Sequence, residues 1–296
     1  MSWIQISVNA SGENYRRVED ALLSLGAQSV TYKDAADNPI LEPLPGETPL
    51  WQHVIVTGLF DDRLGSDTLR ERLLQQLAGD ALQIEIAPLP EQDWTRAWME
   101  NYRPMQFGDR LWVCPKHIDP PDPHAINLRL DPGLAFGTGT HPTTSLCLGW
   151  LDAHVFPDSR YRKVLDYGCG SGILAIAAIM LGARQADCID IDEQALLATL
   201  DNARANGVLK SITTATPDDM DDRERYQLVL ANILSGPLTE LAPALARCCS
   251  DGADIVLSGI LSEQADAVRR AYSEFFDMHK TQTLEEWVLL HGTRKS

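Results

Sequence analysis

Three glycines at alternate positions, Gly168, Gly170 and Gly172, stand between the apolar run Val164-Leu165 and the helically spaced segment Ile173 to Leu181, with Asp166 just before them. A strand that turns sharply into a helix while its backbone lies against a ligand needs positions without a Cβ. Glycine supplies both the unusual dihedrals and the close approach. A second acid, Asp190, ends the next apolar run, Cys188-Ile189, where a carboxylate can accept hydrogen bonds from both hydroxyls of a ribose. This is the chemistry of a nucleotide-bearing ligand held at the carboxyl edge of a parallel sheet. Gly170 to Ala175 also satisfies the G-x-G-x-x-A form of a dinucleotide site, so these residues leave a nicotinamide enzyme open as a reading.

Asn232 follows the apolar run Val229-Leu230-Ala231 at the carboxyl end of an expected strand. An amide there can hold the lone pair of a target nitrogen towards a sulfonium methyl, the arrangement used with S-adenosylmethionine. The other reading is a loop Asn capping the helix near Gly236-Pro237. His141, in the run Phe136 to Thr144, is a candidate acceptor for the proton of an incoming ammonium. As a loop histidine bonded to backbone it would be structural only. Thr138, Thr140, Thr143 and Thr144 could donate hydroxyls to a ligand carboxylate or serve the helix start at Thr143.

The elements that must position these groups are legible in periodicity. The first ninety residues run strand (Ile4-Ile6-Val8), helix (Val18-Ala21-Leu22-Leu25), strand (Val30-Tyr32), a loop from Pro39 to Pro49, strand (Val54-Val56), helix (Leu69-Leu73-Leu77) and strand (Ile84-Ile86). That order is βαββαβ, the ferredoxin-like arrangement. Next, Asp93 is a candidate N-cap, and Trp94, Trp98 and Tyr102 lie four apart on one helical face, which predicts a linker helix. From about residue 110, strands at 164–166, 186–191, 227–231 and 254–257 alternate with helices at 173–181, 193–206, 238–248 and 262–272. Two last strands, 278–283 and 287–291, meet at a Leu284-Glu285-Glu286 turn. The expected organisation is a ferredoxin-like domain at 1–87, a helical linker at 88–109 and a doubly wound α/β domain at 110–296.

Composition bounds what such a chain can be. Its 296 residues, 44% of them hydrophobic, fill one large or two ordinary domains. No stretch of about 18 uninterrupted apolar residues predicts a membrane span. The start Met1-Ser2-Trp3-Ile4-Gln5 lacks the basic and apolar regions of a signal peptide, so a cytoplasmic protein is expected. The six cysteines form no C-x-x-C pair and no cluster of zinc spacing with histidine, so reduced, mostly buried thiols are expected. A formal charge of -17 opposes binding to phosphate backbones and favours basic partners.

The run Asp131 to Ser145, with Val164 to Ile176 and Ala231-Asn232-Ile233-Leu234, resembles the PrmA family, the methyltransferases of ribosomal protein L11. The similarity extends to Glu42-Pro43-Leu44-Pro45-Gly46-Glu47, to Trp94 through Tyr102 and to Glu285-Glu286-Trp287, and so covers essentially the whole chain. The resemblance implies a small substrate-recognition domain, a linker helix and a class I, Rossmann-like, seven-stranded methyltransferase domain. It implies transfer of methyl groups from S-adenosylmethionine to the α-amine and lysine ε-amines of that basic ribosomal protein. Thr144, Gly168, Asp190 and Asn232 match positions where the family binds the cofactor, and Asp166, Gly170 and Gly172 complete the set. A monomer is expected, with no metal, no membrane and no direct nucleic-acid contact. The alternatives from other classes are an RNA or small-molecule methyltransferase on the same fold, a nicotinamide dehydrogenase, and a noncatalytic ribosome-associated module.

Overall fold

Alternation in the first residues puts Ile4, Ile6, Val8 and Ala10 on one side of a strand, and all four are buried. In the computed structural model, which describes residues 3–36, 49–61, 63, 65–77, 83–89, 102–130, 139–221 and 223–296, this strand is β1 (Trp3–Ser11). The chain divides into two compact units, Met1–Ala97 and Trp98–Ser296. The first continues with α1 (Tyr15–Ser24), β2 (Ser29–Asp34), β3 (His53–Asp61), α2 (Ser66–Gln76) and β4 (Ile84–Leu89). Its sheet runs β2-β3-β1-β4, antiparallel throughout. Val18, Ala21 and Leu22 of α1 and Leu69 and Leu73 of α2 pack with Ile6, Val8, Val54, Val56 and Phe60 in one core. The other face of that sheet is polar, with Ser7 and Thr57 hydroxyls 2.9 Å apart.

The second unit begins with a small sheet, β5 (Met105–Phe107), β6 (Leu111–Cys114) and β7 (Ile126–Arg129). After it come α3 (Pro142–His154), β8 (Lys163–Tyr167), α4 (Ile173–Leu181), β9 (Gln185–Ile189), α5 (Glu193–Ala205), β10 (Ile212–Ala215) and β11 (Tyr226–Asn232). The chain ends with α6 (Ser235–Cys248), β12 (Cys249–Leu261), α7 (Ala265–Ser273), β13 (Phe276–Met278), β14 (Gln282–Leu284) and β15 (Trp287–Arg294). The main sheet runs β10-β9-β8-β11-β12-β15-β13, with β14 as an eighth strand on β15. The first five strands are parallel, and β13, β14 and β15 are antiparallel additions. One core joins α3, α4 and the small sheet through Trp150, Leu148 and Ile176. A second joins α6 and α7 to the other face through Leu238, Leu245, Val268 and Tyr272. Parallel strands buried on both faces read as unbroken apolar runs such as Val229 to Ala231.

Several expectations need correcting. The strand expected at 278–283 is two pieces on one edge of β15, because the pairing register shifts by one residue between Met278 and Gln282. Strand β10 and the small sheet were not expected. The last helix starts at Ala265 rather than 262. The stretch expected to be a linker at 88–109 begins inside β4, where Pro88 and Leu89 pair with β1, and ends beyond β5. The Glu42 to Glu47 motif and the aromatic positions Trp94 and Trp98 lie outside the described residues, whereas Tyr102 is described and buried. Among the described residues, no helix is long and apolar enough to cross a membrane.

Candidate functional site

The carboxyl end of β8 runs into the glycine turn, and the turn is fastened on three sides. Gly168, Gly170 and Gly172 all lie in the left-handed region, with φ of 76°, 53° and 75°. Gly168 and Cys169 N–H both donate to the carbonyl of Ile189 at the end of β9, at 2.7 and 3.1 Å. Gly170 N–H donates to Asp190 Oδ2 at 2.9 Å, and the other carboxylate oxygen accepts from Asp192 N–H at 3.0 Å. From α5, Thr199 Oγ1 donates to the Gly170 carbonyl at 3.1 Å and Asn202 Nδ2 to the Ser171 carbonyl at 2.9 Å. A Cβ on Gly172 would stand 2.7 Å from Thr199. The turn and Asp190 therefore form one rigid lip at the sheet's carboxyl edge, where open α/β folds bind ligands.

Asp166 lies beneath that lip, 1% exposed. Its Oδ2 accepts from Ala175 N–H in the first turn of α4 at 3.0 Å, which meets both an orphan donor and the positive end of the helix. Its Oδ1 is buried without a hydrogen-bond partner. Burial pushes this carboxyl up to about 7; the Ala175 N–H opposes the rise and the charge of Asp190 adds to it.

Asn232 ends β11, and its Nδ2 donates to the buried Thr144 Oγ1 in the first turn of α3 at 3.4 Å. It does not cap α6, whose N-cap is Leu234 with no side-chain hydrogen bond. Ile233 links this strand end to the glycine turn. A Cβ built on Gly168 would fall 2.2 Å from Ile233 Cγ2, and one on Gly259 of β12 would fall 2.3 Å from the Ile233 carbonyl oxygen.

His141 is the N-cap of α3, its Nδ1 accepting from Thr143 N–H at 3.3 Å, with Pro142 at the first helical position. Its ring stands edge-on to Trp287 at 4.7 Å. Burial pulls its pKa down, and the charge of Glu285 acts the other way. The backbone bond expected of a structural histidine is present at Nδ1. Thr138, with the rest of 131–138, lies outside the described residues.

The structure thus brings Gly168, Gly170, Gly172 and Asp190 together at one edge, and pairs Asn232 with Thr144 beside it. Sequence reasoning missed Thr199 and Asn202, the buried polar groups of α5, whose signal was polar residues on the face that also carries Ala195 and Ala203. It also missed Gly259, and Ile191 and Leu234, apolar side chains 87% and 59% exposed beside Asp190 and Asn232. Backbone without Cβ atoms, an acid at the lip and exposed apolar surface next to it suit an adenosine-bearing ligand.

Comparison with known proteins bears on which ligand that is. The family described as ribosomal protein L11 methyltransferase (PrmA) matches residues 2–295. The ribosomal protein L11 methyltransferases of Enterobacter sp. (strain 638) and Salmonella arizonae are 49% and 48% identical to this chain over 296 residues, covering 100% of both partners in each case. A solved structure, the ribosomal protein L11 methylase of Lactobacillus delbrueckii subsp. bulgaricus, aligns at 31% identity and a TM-score of 0.59 over 66% of this chain and 100% of that one.

Proposed function

The chain belongs to the ribosomal protein L11 methyltransferase family, and on that premise we propose that the lip formed by Gly168 to Gly172, Asp190 and Asn232 is where methyl groups pass to amines. The protein is a S-adenosylmethionine-dependent protein methyltransferase, and its substrate is ribosomal protein L11. The acceptors are the α-amine and lysine ε-amines of that protein. The second unit is read as a class I, Rossmann-like methyltransferase domain. The first is read as a ferredoxin-like substrate-recognition domain, which its βαββαβ order and β2-β3-β1-β4 sheet support. The charge of -17 supports a basic protein partner rather than nucleic acid, and the enzyme is read as a cytoplasmic monomer.

S-adenosylmethionine supplies a methyl group already activated on a sulfonium, so the chain's own groups have only to bind, orient and manage a proton. Asp190 accepts from the ribose hydroxyls, held in place by Gly170 and Asp192 N–H. The glycine turn admits the ligand close to backbone, and Ile191 offers an apolar surface to the base. Asp166, buried on the α4 amide, supports the turn from below rather than touching the ligand. The Nδ2 group of Asn232 is occupied by Thr144, so its Oδ1 accepts an N–H of the incoming amine and leaves the nitrogen lone pair for the methyl carbon.

A lysine ammonium, with a pKa of about 10.4, has no lone pair at neutral pH, whereas an α-amine near 7.8 is partly neutral. Desolvation at the site lowers an amine's pKa, and solvent takes the proton. His141 keeps to capping α3.

The observation that carries this reading is the Gly170 N–H to Asp190 contact at 2.9 Å, which sets the second acid on the rim of the glycine turn. The test is intact and peptide mass spectrometry of purified ribosomal protein L11 after incubation with enzyme and S-adenosylmethionine, with ribosomal RNA as a competing acceptor. Methyl increments on its amines, lost with Asp190→Ala and Asn232→Ala, are expected. Label on RNA, or equal methylation by the variants, would overturn the assignment of acceptor or of site.

A further inference from the structure

The register of the second unit's sheet sets Asp254 level with Leu228 and Val164, at the amino end of the parallel strands. Asn232 and Ser258 are paired four residues further along, so Asp254 is remote from the glycine lip. Two imidazoles converge on this carboxylate. Asp254 Oδ1 lies 3.2 Å from His291 Nε2 and accepts from the Thr293 hydroxyl at 2.7 Å. The same hydroxyl oxygen is 2.8 Å from His279 Nε2. One donor atom from each of Asp254, His279 and His291 lies within 4.8 Å of the other two, and the two imidazole rings are 4.4 Å apart.

We propose that Asp254, His279 and His291 form a binding site for a zinc ion, with Thr293 beside it and a fourth position open to water on the exposed side of His279. Donors bound at about 2.0–2.2 Å in tetrahedral geometry stand about 3.3 Å from one another. The 3.2 Å between Asp254 Oδ1 and His291 Nε2 is that spacing. The donor set also chooses the cation, since two imidazoles with one carboxylate suit zinc and its transition-metal neighbours rather than magnesium or calcium.

The surroundings are those of a supported ligand set. The second carboxylate oxygen, Oδ2, accepts from Arg160 Nη2 at 2.5 Å and from the Tyr161 hydroxyl. Arg160 is itself anchored on the Gly252 carbonyl at 2.7 Å. Asp254 Oδ1 is thus aimed at the histidines by a fixed outer shell, as metal-binding carboxylates are. His291 packs edge-on against the buried Trp150 ring at 5.0 Å, and its Nε2 is buried without a hydrogen bond. A ring nitrogen turned towards a carboxylate oxygen at 3.2 Å without an aligned N–H bond is an arrangement in which both can ligate one ion. His279 is exposed, which gives an ion a way in. The ligands come from β12, β15 and the segment after β13, so an ion there would clamp the antiparallel edge of the sheet and stabilise it by mass action.

The competing arrangement is the direct contact of His291 Nε2 with Asp254 Oδ1 and no ion bound. The test is titration of metal-free full-length enzyme with Zn²⁺ by calorimetry, and with Co²⁺ followed by visible absorption. One equivalent should bind, with cobalt bands of tetrahedral nitrogen and oxygen coordination and a raised unfolding temperature. Losing an outer-shell partner weakens metal sites by about 10–100-fold, so loss of a ligand in His279→Ala or His291→Gln should weaken binding at least about 100-fold. His279→Ala changes an exposed side chain and keeps the fold, and His117→Ala, at an exposed histidine outside the cluster, should bind like wild type. Absence of zinc binding by wild type, or equal binding by His279→Ala and His291→Gln, would overturn the site. It would leave the direct His291–Asp254 contact in its place.

Discussion

Replacing Gly168 by alanine tests whether the glycine turn is tied to the end of β11. The new methyl would stand 2.2 Å from Ile233 Cγ2, where carbon atoms in contact prefer about 3.5–4.0 Å. One or both must therefore move by more than about 1 Å. Gly168 also has φ of 76°, which costs a residue with a Cβ about 1–2 kcal/mol. Overpacking of this kind costs about 1–3 kcal/mol more. The sum is roughly 2–5 kcal/mol, or about 5–15 °C in the unfolding temperature of a unit this size. Calorimetry of Gly168→Ala, Ile233→Ala and the double variant separates the two contributions. Ile233→Ala removes the clash but not the dihedral cost, so the cycle should show a coupling of about 1–3 kcal/mol in the direction of rescue. Titration with S-adenosylhomocysteine should show weaker binding by Gly168→Ala. Additive behaviour within about 0.5 kcal/mol, or an unfolding temperature unchanged in Gly168→Ala, would refute the argument.

Asp166 and His141 yield two pH predictions. Burial raises the Asp166 carboxyl from 3.8 to about 7 in the folded protein, so between those values the native state holds a proton that the unfolded chain has released. Stability should fall as pH rises through that window, by about 4 kcal/mol across it. Asp166→Asn should flatten the slope in urea titrations, and a slope that persists in the variant would exclude this carboxyl as its source. For His141, asparagine can replace it as an N-cap while removing the titrating ring. His141→Asn should keep both turnover and the pH–rate profile, and loss of one limb of that profile would make the histidine the proton acceptor after all.

The parts of this fold that could be read from sequence are those whose cause is local. A left-handed backbone selects for glycine, so Gly168, Gly170 and Gly172 were readable as a turn, and a two-sided buried strand such as Val229 to Ala231 must be apolar. Strand β10 was invisible because Ile-Thr-Thr-Ala has one large apolar residue. It is a strand by virtue of its parallel pairing with β9, from Ile212 on Ala186 to Ala215 on Ile189. The break between β13 and β14 is a register slip against β15, set by backbone pairing with the following strand rather than by the apolar pattern of either run. The capping bond of His141 could not be read from sequence, because its partner, the amide of Thr143, carries no sequence signature. Gly259 shares the left-handed backbone of the loop glycines, with φ of 81°, but lies within a strand, and the close approach behind it is the backbone of Ile233, from the end of a neighbouring strand.

The same interlock bears on the two tasks we propose for this edge, holding a nucleoside and orienting an amine. Strands β8 and β11 are neighbours, with Ala231 paired on Tyr167, so Gly168 and Asn232 are consecutive positions at one level of the sheet. Ile233 fills the volume that a Cβ on Gly168 would need, and Gly259 lets its peptide lie against β12. Thr144 then fixes the Asn232 amide from the side of α3. In-line transfer requires reacting atoms about 3–3.5 Å apart and aligned, and a misplacement of about 1 Å can cost 10²-fold. A loop holding the donor and an amide holding the acceptor could not keep that tolerance if each were positioned independently. Wedging one residue between two glycines makes their separation a property of close packing, which would give the proposed site rigidity where the reaction needs it.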